Sequence, residues 1–347
     1  MQRKKKWFAL SVALVLVLSL GVGCRRQPTP PAEPNEESDG LEETPGETEE
    51  QFFCPLDGLP VTDPELVERR PLAVMIGNIP GLAEPSGLDK ACLVFEILTE
   101  GGITRLMPVF LHQDAPLLGS VRSARHYFLD KALEFNAAYS HCGYSPQAKQ
   151  DISSLKVISL NEFYLPQVYW RVRTKKEPHN VYTSTERLFA ELERRGLLTA
   201  PSPVQFSFYD DNCQPLGPGA KKAALRFSPN YVVEYRWDEA AGGYARFVNG
   251  KPQQDENSGQ QLVAKNVLVQ FVDGTKVLDA EGRLDMKLVG QGGGRMFQQG
   301  VTYELNWSKR SRTEPTSWTD KNGQSIRLIR GQSWIEVLPH GAEVTWE

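Results

Sequence analysis

The spacing of apolar positions changes near residue 212 and divides the chain into two parts. In the first part, three apolar runs predict buried strands, at 71–78, 92–98 and 107–112. Apolar residues at helical spacing predict two helices, at 124–139 and 185–195. Ser184 is placed to cap the second helix and Gly196 to end it. Residues 53–212 are therefore expected to form a mixed domain of the α+β or α/β class.

The second part has short apolar runs that are broken by turn residues. Asn249-Gly250, Asp273-Gly274 and Asn322-Gly323 each follow or separate such runs. These dipeptides favour tight hairpin turns, because both central residues of the preferred turn have positive φ. Residues 213–347 are therefore expected to form a predominantly β domain.

The first 24 residues have the pattern of a lipoprotein signal peptide. Four basic residues at 3–6 precede an uncharged apolar run of about 16 residues, and Cys24 follows three small or apolar residues. The run is shorter than the ~20 residues that span a bilayer as a helix. We expect cleavage before Cys24, acylation of that cysteine with palmitate-like chains, and anchoring on the extracytoplasmic face of the cell membrane. An uncleaved membrane anchor and a chance cysteine beside an ordinary signal are the alternatives.

Residues 25–51 are acidic and contain Leu41 as their one aliphatic side chain. Such a segment cannot bury enough apolar surface to offset the entropy of ordering, so it is expected to be a disordered stalk. The remaining length, about 300 residues, favours two domains. A net charge of −4 gives no indication of nucleic-acid binding, which usually needs a basic excess.

The cysteines after Cys24 give no disulfide framework and no metal motif. Four cysteines remain in about 300 residues, and the separations between them are far from CxxC spacing. They are Cys54, Cys92, Cys142 and Cys213. One disulfide or a set of buried free thiols is expected. No HxH or HExxH pair is present, so the sequence predicts neither a metal site nor a cofactor.

Polar residues cluster in four short segments of the first domain, at 96–105, 119–126, 141–147 and 177–182. These strings, in this order after a lipoprotein signal and an acidic stalk, resemble the YerB-like bacterial lipoprotein family. In the second domain the resemblance rests on 266–267, 290–292, 307–309 and 331–334. Tyr144 stands where the family pattern has a glycine, which argues against a backbone conformation at 144 that only glycine can adopt. The resemblance implies a two-part globular region without an established catalytic activity.

Arg122 and Arg125 are candidates for an anion site. If Ser120 or Ser123 caps the helix that begins near Ala124, both guanidinium groups lie beside exposed backbone amides. Such a site suits a carboxylate or a phosphate. The alternative is a buried network in which the arginines pair with Glu96 and Glu100 and fix strand ends.

Glu96 and Glu100 are also candidate catalytic carboxylates, with His126, His141 and His179 as proton shuttles. Such a set would suit a glycan hydrolase or lyase of the cell wall. A histidine outside a motif is more often a hydrogen-bonded structural residue. Aromatic residues around Tyr164 and in the second domain suit sugar stacking or, more commonly, core packing.

We therefore expect a lipid-anchored protein that binds an anionic envelope ligand, a peptidoglycan fragment or a protein partner. The first domain is expected to hold the site and the second to support it. The expected ligand-binding residues are spread over the four segments: Arg105, Arg122, Ser123, Arg125, His126, Ser145, Asn180 and Tyr182.

Overall fold

The structure, a computed structural model, describes residues 51–82, 84–210 and 215–347. The signal peptide, Cys24 and nearly all of the 25–51 stalk lie outside the described residues, as does Cys213. Within the described residues the fold is predominantly β.

The first part contains short strands together with the α-helices of the described chain. The strands are β1 (Phe52–Phe53), β2 (Pro60–Val61), β3 (Leu72–Val74), β4 (Ile76–Asn78), β5 (Leu93–Leu98), β6 (Thr104–Phe110), β7 (Leu118–Gly119), β8 (Ala138–His141), β9 (Ser159–Asn161), β10 (Trp170–Arg171), β11 (Val181–Thr183) and β12 (Ser207–Phe208). The helices are α1 (Glu65–Glu68), α2 (His126–Glu134), α3 (Pro146–Ser154) and α4 (Thr185–Arg194), with 3₁₀ turns at Leu88–Lys90 and Glu100–Gly102.

The described residues of the second part form strands and loops. The strands are β13 (Lys222–Ser228), β14 (Tyr231–Asp238), β15 (Gly243–Val248), β16 (Lys251–Pro252), β17 (Val263–Ala264), β18 (Asn266–Val272), β19 (Lys276–Val277), β20 (Leu284–Asp285), β21 (Gly290–Gln298), β22 (Val301–Lys309), β23 (Ser317–Asp320), β24 (Arg327–Leu328), β25 (Ser333–Pro339) and β26 (Val344–Trp346).

One 11-stranded sheet extends through both parts of the chain. Its order is β23-β22-β21-β18-β25-β5-β6-β3-β8-β9, and β4 pairs with β6 beside this path. The two parts meet where β25 pairs in parallel with β5, from Ser333 opposite Leu93 to Val337 opposite Ile97. The residues on either side of the 212/213 boundary are therefore parts of one hydrogen-bonded sheet. A six-stranded sheet built from β13–β17 and β26 lies in the second part.

Burial along the strands follows their position in these sheets. Every residue of β5 and β6 is buried, as expected for strands covered on both faces. β13 alternates buried and more exposed positions, the pattern of a sheet with one face toward solvent.

The three predicted strands of the first part are confirmed, although the run 71–78 forms two strands that are interrupted at Met75. The predicted helix 124–139 is too long. Asn136 has a left-handed φ of 54°, and the Ala137 amide donates to the Ala132 carbonyl at 3.1 Å, so α2 ends and β8 begins. The predicted α4 is confirmed, with the Ser184 hydroxyl accepting from the Arg187 amide. Helix α3 was not predicted from the sequence.

The turn predictions have mixed outcomes. Asn249-Gly250 joins β15 to β16 in a two-residue hairpin, with φ of 49° and 78° at the two positions. Asn322-Gly323 lies in a tight turn, in which the Asp320 amide donates to the Gln324 carbonyl at 2.8 Å. The prediction of a hairpin at Asp273-Gly274 is wrong. Strand β18 already pairs with β21 on one edge and with β25 on the other, so β19 pairs with β20 instead.

Among the described helices, none has the length and apolar character needed to cross a bilayer.

Candidate functional site

The segment 119–126 lies at the centre of the first part and brings the other polar segments to it. The Val121 amide donates to the Val181 carbonyl at 2.7 Å, and the Arg122 amide donates to the Met75 carbonyl at 2.8 Å. The Cys142 amide in turn donates to the Arg122 carbonyl at 3.0 Å. The segments that begin at 141 and 177 are thereby held against 119–126.

Glu100, Arg105 and Arg125 form a closed ionic triad. Arg105 Nη2 and Arg125 Nε each lie 3.0 Å from a Glu100 carboxylate oxygen, and Arg125 Nη2 makes a further contact. Both arginines also donate to backbone carbonyls, Arg105 to Ser123 at 2.6 Å and Arg125 to Ala124 at 2.9 Å. Burial raises the pKa of Glu100, but the hydrogen bond from Arg125 and the charges of both arginines outweigh it and lower the pKa to about 2.

Arg122 has a different environment. Its Nη1 donates to the Pro178 carbonyl at 2.8 Å and lies 3.1 Å from His179 Nδ1. Within 4 Å, no carboxylate of the described residues pairs with it. Partial burial and the nearby guanidinium together lower the pKa of His179, so this ring is neutral at pH 7 and accepts from Arg122. Arg122 is therefore a half-buried cation whose partners are uncharged.

Aromatic side chains lie beside Ser123, the residue that follows Arg122 in the chain. Phe163 is 61% exposed and Tyr164 is 69% exposed. A Cβ built on Gly143 would come within 3.2 Å of the Phe163 ring and 3.6 Å of the Ser123 hydroxyl, which places these groups side by side. The Tyr144 and Tyr164 hydroxyls are 2.9 Å apart. We call Arg122, Ser123, Tyr144, Phe163, Tyr164 and His179 the arginine–aromatic surface.

Tyr144, which stands where the family pattern has a glycine, is compatible with this backbone. The left-handed φ of 73° falls on Gly143, and Tyr144 is not among the described residues with positive φ. A side chain at 144 therefore meets no conformational restriction, and it adds an aromatic ring to the surface.

Four other predicted residues make internal contacts. His141 is fully buried, with Nδ1 2.7 Å from the Gly143 carbonyl and Nε2 2.8 Å from the Ser159 hydroxyl. Burial lowers the pKa of His141 to about 4. Ser145 caps α3 by accepting from the Ala148 amide at 3.2 Å. Asn180 accepts from Arg171 at 3.0 Å, and the Tyr182 hydroxyl lies 3.2 Å from Glu256.

The N-terminus of α2 differs from expectation. The helix begins at His126 with Arg125 at the N-cap, and no side chain caps it, so the expected cap by Ser120 or Ser123 is wrong. His126 Nε2 lies 2.9 Å from Asp285 of the second part. A cavity of about 560 Å³ opens beside His126, between α2, α3 and residues 278–289. Its arginine, Arg312, is paired with Asp130 and Asp151 of its lining.

Glu96 lies apart from the other predicted residues, in a buried network between the two parts. It pairs with Arg246, and Arg246 Nη1 lies 3.0 Å from Glu336. All three side chains are fully buried. Tyr231 and Thr104 donate to Glu96 at 2.7 Å and 2.5 Å. The expected arginine partner of Glu96 lay in the segment 119–126, and this expectation is wrong because the partner is Arg246.

Most tryptophans of the second part are core or packed residues. Trp334 is fully buried beneath the Arg246 guanidinium, and Trp307 donates to the Phe271 carbonyl at 2.8 Å. Phe163 was not predicted, because an exposed aromatic becomes informative only when the fold places it beside Ser123. A cluster formed by Cys54, Asp57, Cys92 and His112 was not predicted either, because its members come from three separate segments.

Comparison with known proteins identifies the family. Residues 56–198 match the DUF3048 N-terminal domain and residues 223–335 the DUF3048 C-terminal domain, both described as protein of unknown function. The chain is 30% identical over 340 residues to "Putative lipoprotein YerB" of Bacillus subtilis (strain 168), covering 96% of each chain. It is also similar to the crystal structure of the YerB protein from Bacillus subtilis. That similarity has a TM-score of 0.75 and 30% identity, covering 85% of this chain and 99% of that one.

The two matches follow each other along the chain in a two-domain architecture, and together they include the arginine–aromatic surface and the Glu96–Arg246 pair. The resemblance to YerB-like lipoproteins is confirmed, and the chain belongs to the DUF3048 family.

Proposed function

We propose that this chain is a lipoprotein, acylated on Cys24 and held on the extracytoplasmic face of the membrane, whose arginine–aromatic surface binds an anionic cell-envelope ligand. A relative named as a lipoprotein and the signal pattern at 1–24 support the anchor. In this proposal the site belongs to an N-terminal α+β domain at 53–212, and the β-rich residues 213–347 support it.

The single observation that carries the binding proposal is the state of Arg122. Its partners are a carbonyl and a neutral histidine, so it keeps a net positive charge that a ligand anion can satisfy. Arg105 and Arg125 already share Glu100, and we assign them to positioning Ser123 and Ala124 rather than to direct ligand contact.

The neighbouring aromatic rings define the ligand class. Exposed Phe163 and Tyr164 offer faces for sugar rings, while Arg122 suits a carboxylate. A peptidoglycan fragment carries both features, because its sugars bear a carboxyl-containing ether and an acidic peptide. Ser123 and His179 are then expected to contribute further hydrogen bonds.

The hydrolase or lyase alternative has less support. Glu96 is fully buried in its pair with Arg246, and Glu100, with a pKa of about 2, carries no proton to donate at neutral pH. His141 is buried between two hydrogen-bond partners. These contacts favour structural roles for the residues from which an acid–base pair would be drawn.

The test is calorimetric titration of the full-length protein in detergent with soluble muropeptides. Arg122→Gln should lose about 1.5–3 kcal/mol of binding free energy, roughly 10- to 150-fold in Kd. Arg173→Gln is the control, because it removes an exposed arginine from a neighbouring segment. Equal affinity of both variants and wild type would contradict the proposal, and cleavage of the muropeptides that depends on Glu100 would favour the hydrolase.

The anchor is tested separately by palmitate labelling in cells. Wild-type protein should incorporate label and fractionate with membranes, whereas Cys24→Ala should lose the label. Retention of label in the variant would contradict acylation at Cys24.

A further inference from the structure

A second group of reactive side chains lies near the beginning of the described chain, away from the arginine–aromatic surface. One ligand atom each from Cys54, Asp57, Cys92 and His112 lie within 4.8 Å of one another. Cys54, Asp57 and Cys92 are buried, and the His112 side chain is 8% exposed. Two thiols, an imidazole and a carboxylate are the protein groups that bind zinc.

The local backbone explains how two of these ligands come together. Residues 54–59 form a tight turn, in which the Gly58 amide donates to the Cys54 carbonyl at 2.8 Å and the Cys54 amide donates to the Leu59 carbonyl at 2.9 Å. Gly58 has a φ of 70°, which a glycine adopts without strain. The turn places the side chains of Cys54 and Asp57 on the same centre.

The other two ligands come from neighbouring strands. Cys92 immediately precedes β5, and His112 lies two residues after β6. These strands are antiparallel, with Leu93 opposite Val109, so the start of one and the end of the other meet at the same end of the sheet. Cys92 and His112 are therefore fixed by the sheet, while Cys54 and Asp57 are fixed by the turn.

The separations fit a tetrahedral centre. Cys54 Sγ and Cys92 Sγ are 3.9 Å apart. Two sulfurs that share one tetrahedral zinc, with Zn–S bonds of about 2.3 Å, lie about 3.8 Å apart. His112 Nε2 and Asp57 Oδ2 are hydrogen-bonded at 2.8 Å, and a shared metal would replace this bond and separate the atoms to about 3.4 Å.

Backbone amides support the ligands from outside the cluster. The Leu56 amide donates to Cys54 Sγ at 3.4 Å, as expected for a stabilised thiolate. The Leu59 amide donates to Asp57 Oδ1 at 3.1 Å, which leaves Oδ2 directed into the cluster. The Gly331 amide donates to the Asp57 carbonyl at 2.7 Å and ties the turn to the second part of the chain.

We propose that Cys54, Asp57, Cys92 and His112 bind Zn²⁺ as a closed four-ligand structural site. Four protein ligands occupy every position of a tetrahedral ion, so this site has no open position for a substrate. Binding displaces the ligand protons to solvent, those of the thiols and that of the imidazolium which His112 forms beside Asp57. The ion would fasten the first turn of the folded region to the main sheet. The alternative to zinc binding is a disulfide between Cys54 and Cys92, which would leave neither sulfur free to bind the ion.

The test uses full-length protein, purified in detergent with a reductant and freed of metal, and titrated with Co²⁺. One equivalent should give the intense visible bands of tetrahedral cobalt and a sulfur-to-cobalt charge-transfer band, and Zn²⁺ should then displace it. Cys92→Ser and His112→Gln should weaken binding beyond the roughly 10- to 100-fold that changes outside the ligand shell cause. Cys142→Ser is the matched control, since this thiol lies outside the cluster.

A second measurement covers variants that fold poorly. Zn²⁺ should raise the Tm of wild type and of Cys142→Ser, but not of His112→Gln, whose amide can still donate to Asp57 but is not a zinc ligand. Cobalt bound without charge-transfer bands, or with unchanged affinity in Cys92→Ser, would overturn the proposal. So would a Cys54–Cys92 disulfide found by mass spectrometry in protein taken directly from the cell envelope.

Discussion

Arg246 is a fully buried cation between two carboxylates, and its neighbours account for its stability. Glu96 and Glu336 stand directly opposite each other in the parallel pair of β5 and β25, where two negative charges would repel. Burial and the charge of Glu96 raise the pKa of Glu336 well above its ordinary value. This shift favours the protonated form of Glu336, in which the network contains one carboxylate, one guanidinium and neutral donors.

This charge assignment predicts a large difference between two substitutions. Arg246→Met should destabilise the protein by about 3–5 kcal/mol, because it leaves the Glu96 carboxylate buried without its cation. Glu336→Gln should cost about 1 kcal/mol or less, since an amide resembles the protonated acid that the raised pKa favours. Urea unfolding at pH 7 measures both free energies, and similar losses for the two variants would show that Glu336 is ionised.

The lowered pKa of Glu100 predicts how the stability of the folded protein depends on pH. Its pKa is about 2 in the folded protein and roughly 4.3 in the unfolded chain, so it contributes stability above pH 4.3. That contribution is lost as the pH falls from about 4.3 through about 2. The stability difference between wild type and Glu100→Gln should therefore shrink over this window, as followed by unfolding at a series of pH values.

Glu193→Gln is the control for this measurement, because Glu193 is exposed and makes no ion pair with a described residue. Its stability difference from wild type should be small and nearly constant with pH. A Glu100→Gln difference that stays constant from pH 5 to pH 2 would mean that the triad does not stabilise the folded state.

Residue types alone could suggest these polar clusters but could not assign partners. Pairing of Arg125 with Glu100 was one of two alternatives that local sequence allowed, since the two residues lie 25 positions apart, whereas the pairing of Arg105 with Glu100 was not predicted. The partner of Glu96 is 150 positions away, in the second part of the chain. Such a pairing depends on sheet order, which residue types and spacing do not encode.

At the scale of elements, Ser145 illustrates how a capping residue can resemble a site residue. It accepts from the Ala148 amide and precedes Pro146 at the first position of α3, an arrangement that starts a helix. Ser145→Ala should therefore lower stability by about 1 kcal/mol and leave muropeptide affinity unchanged. Thermal unfolding and calorimetry separate the two effects, and Ser184→Ala, which removes the cap of α4, is the matched control.

Strands and the α4 helix could be predicted because their apolar pattern and their local signals agree. α3 escaped prediction because its surface face is polar and only Ala148 and Asp151 are buried. The end of α2 was misplaced because Ala137 and Ala138 continue an apolar pattern after the chain has left the helix at Asn136. In both places a local backbone signal outweighed hydrophobic periodicity.

At the scale of the whole molecule, the main sheet makes the two parts of the chain depend on each other. β5 lies between β6 of the first part and β25 of the second, and its side chains are buried on both faces. If the second part were absent, β5 would become an exposed apolar edge, a feature that promotes aggregation. The Glu96 carboxylate would also lose Arg246.

The isolated fragment 53–212 is therefore expected not to reach the folded state that it has in the whole chain. Expressed alone, it should be insoluble or should unfold without a cooperative transition, whereas 53–347 should unfold cooperatively. Co-expression of 213–347 should restore a soluble complex, because it returns β25 to the edge of β5 and Arg246 to Glu96. Glu96→Leu in the fragment separates the two causes: it removes the buried charge but keeps the open edge, so it should not by itself restore cooperative unfolding. A soluble, cooperatively folded 53–212 fragment would show that the shared sheet is an interface between two independent folding units.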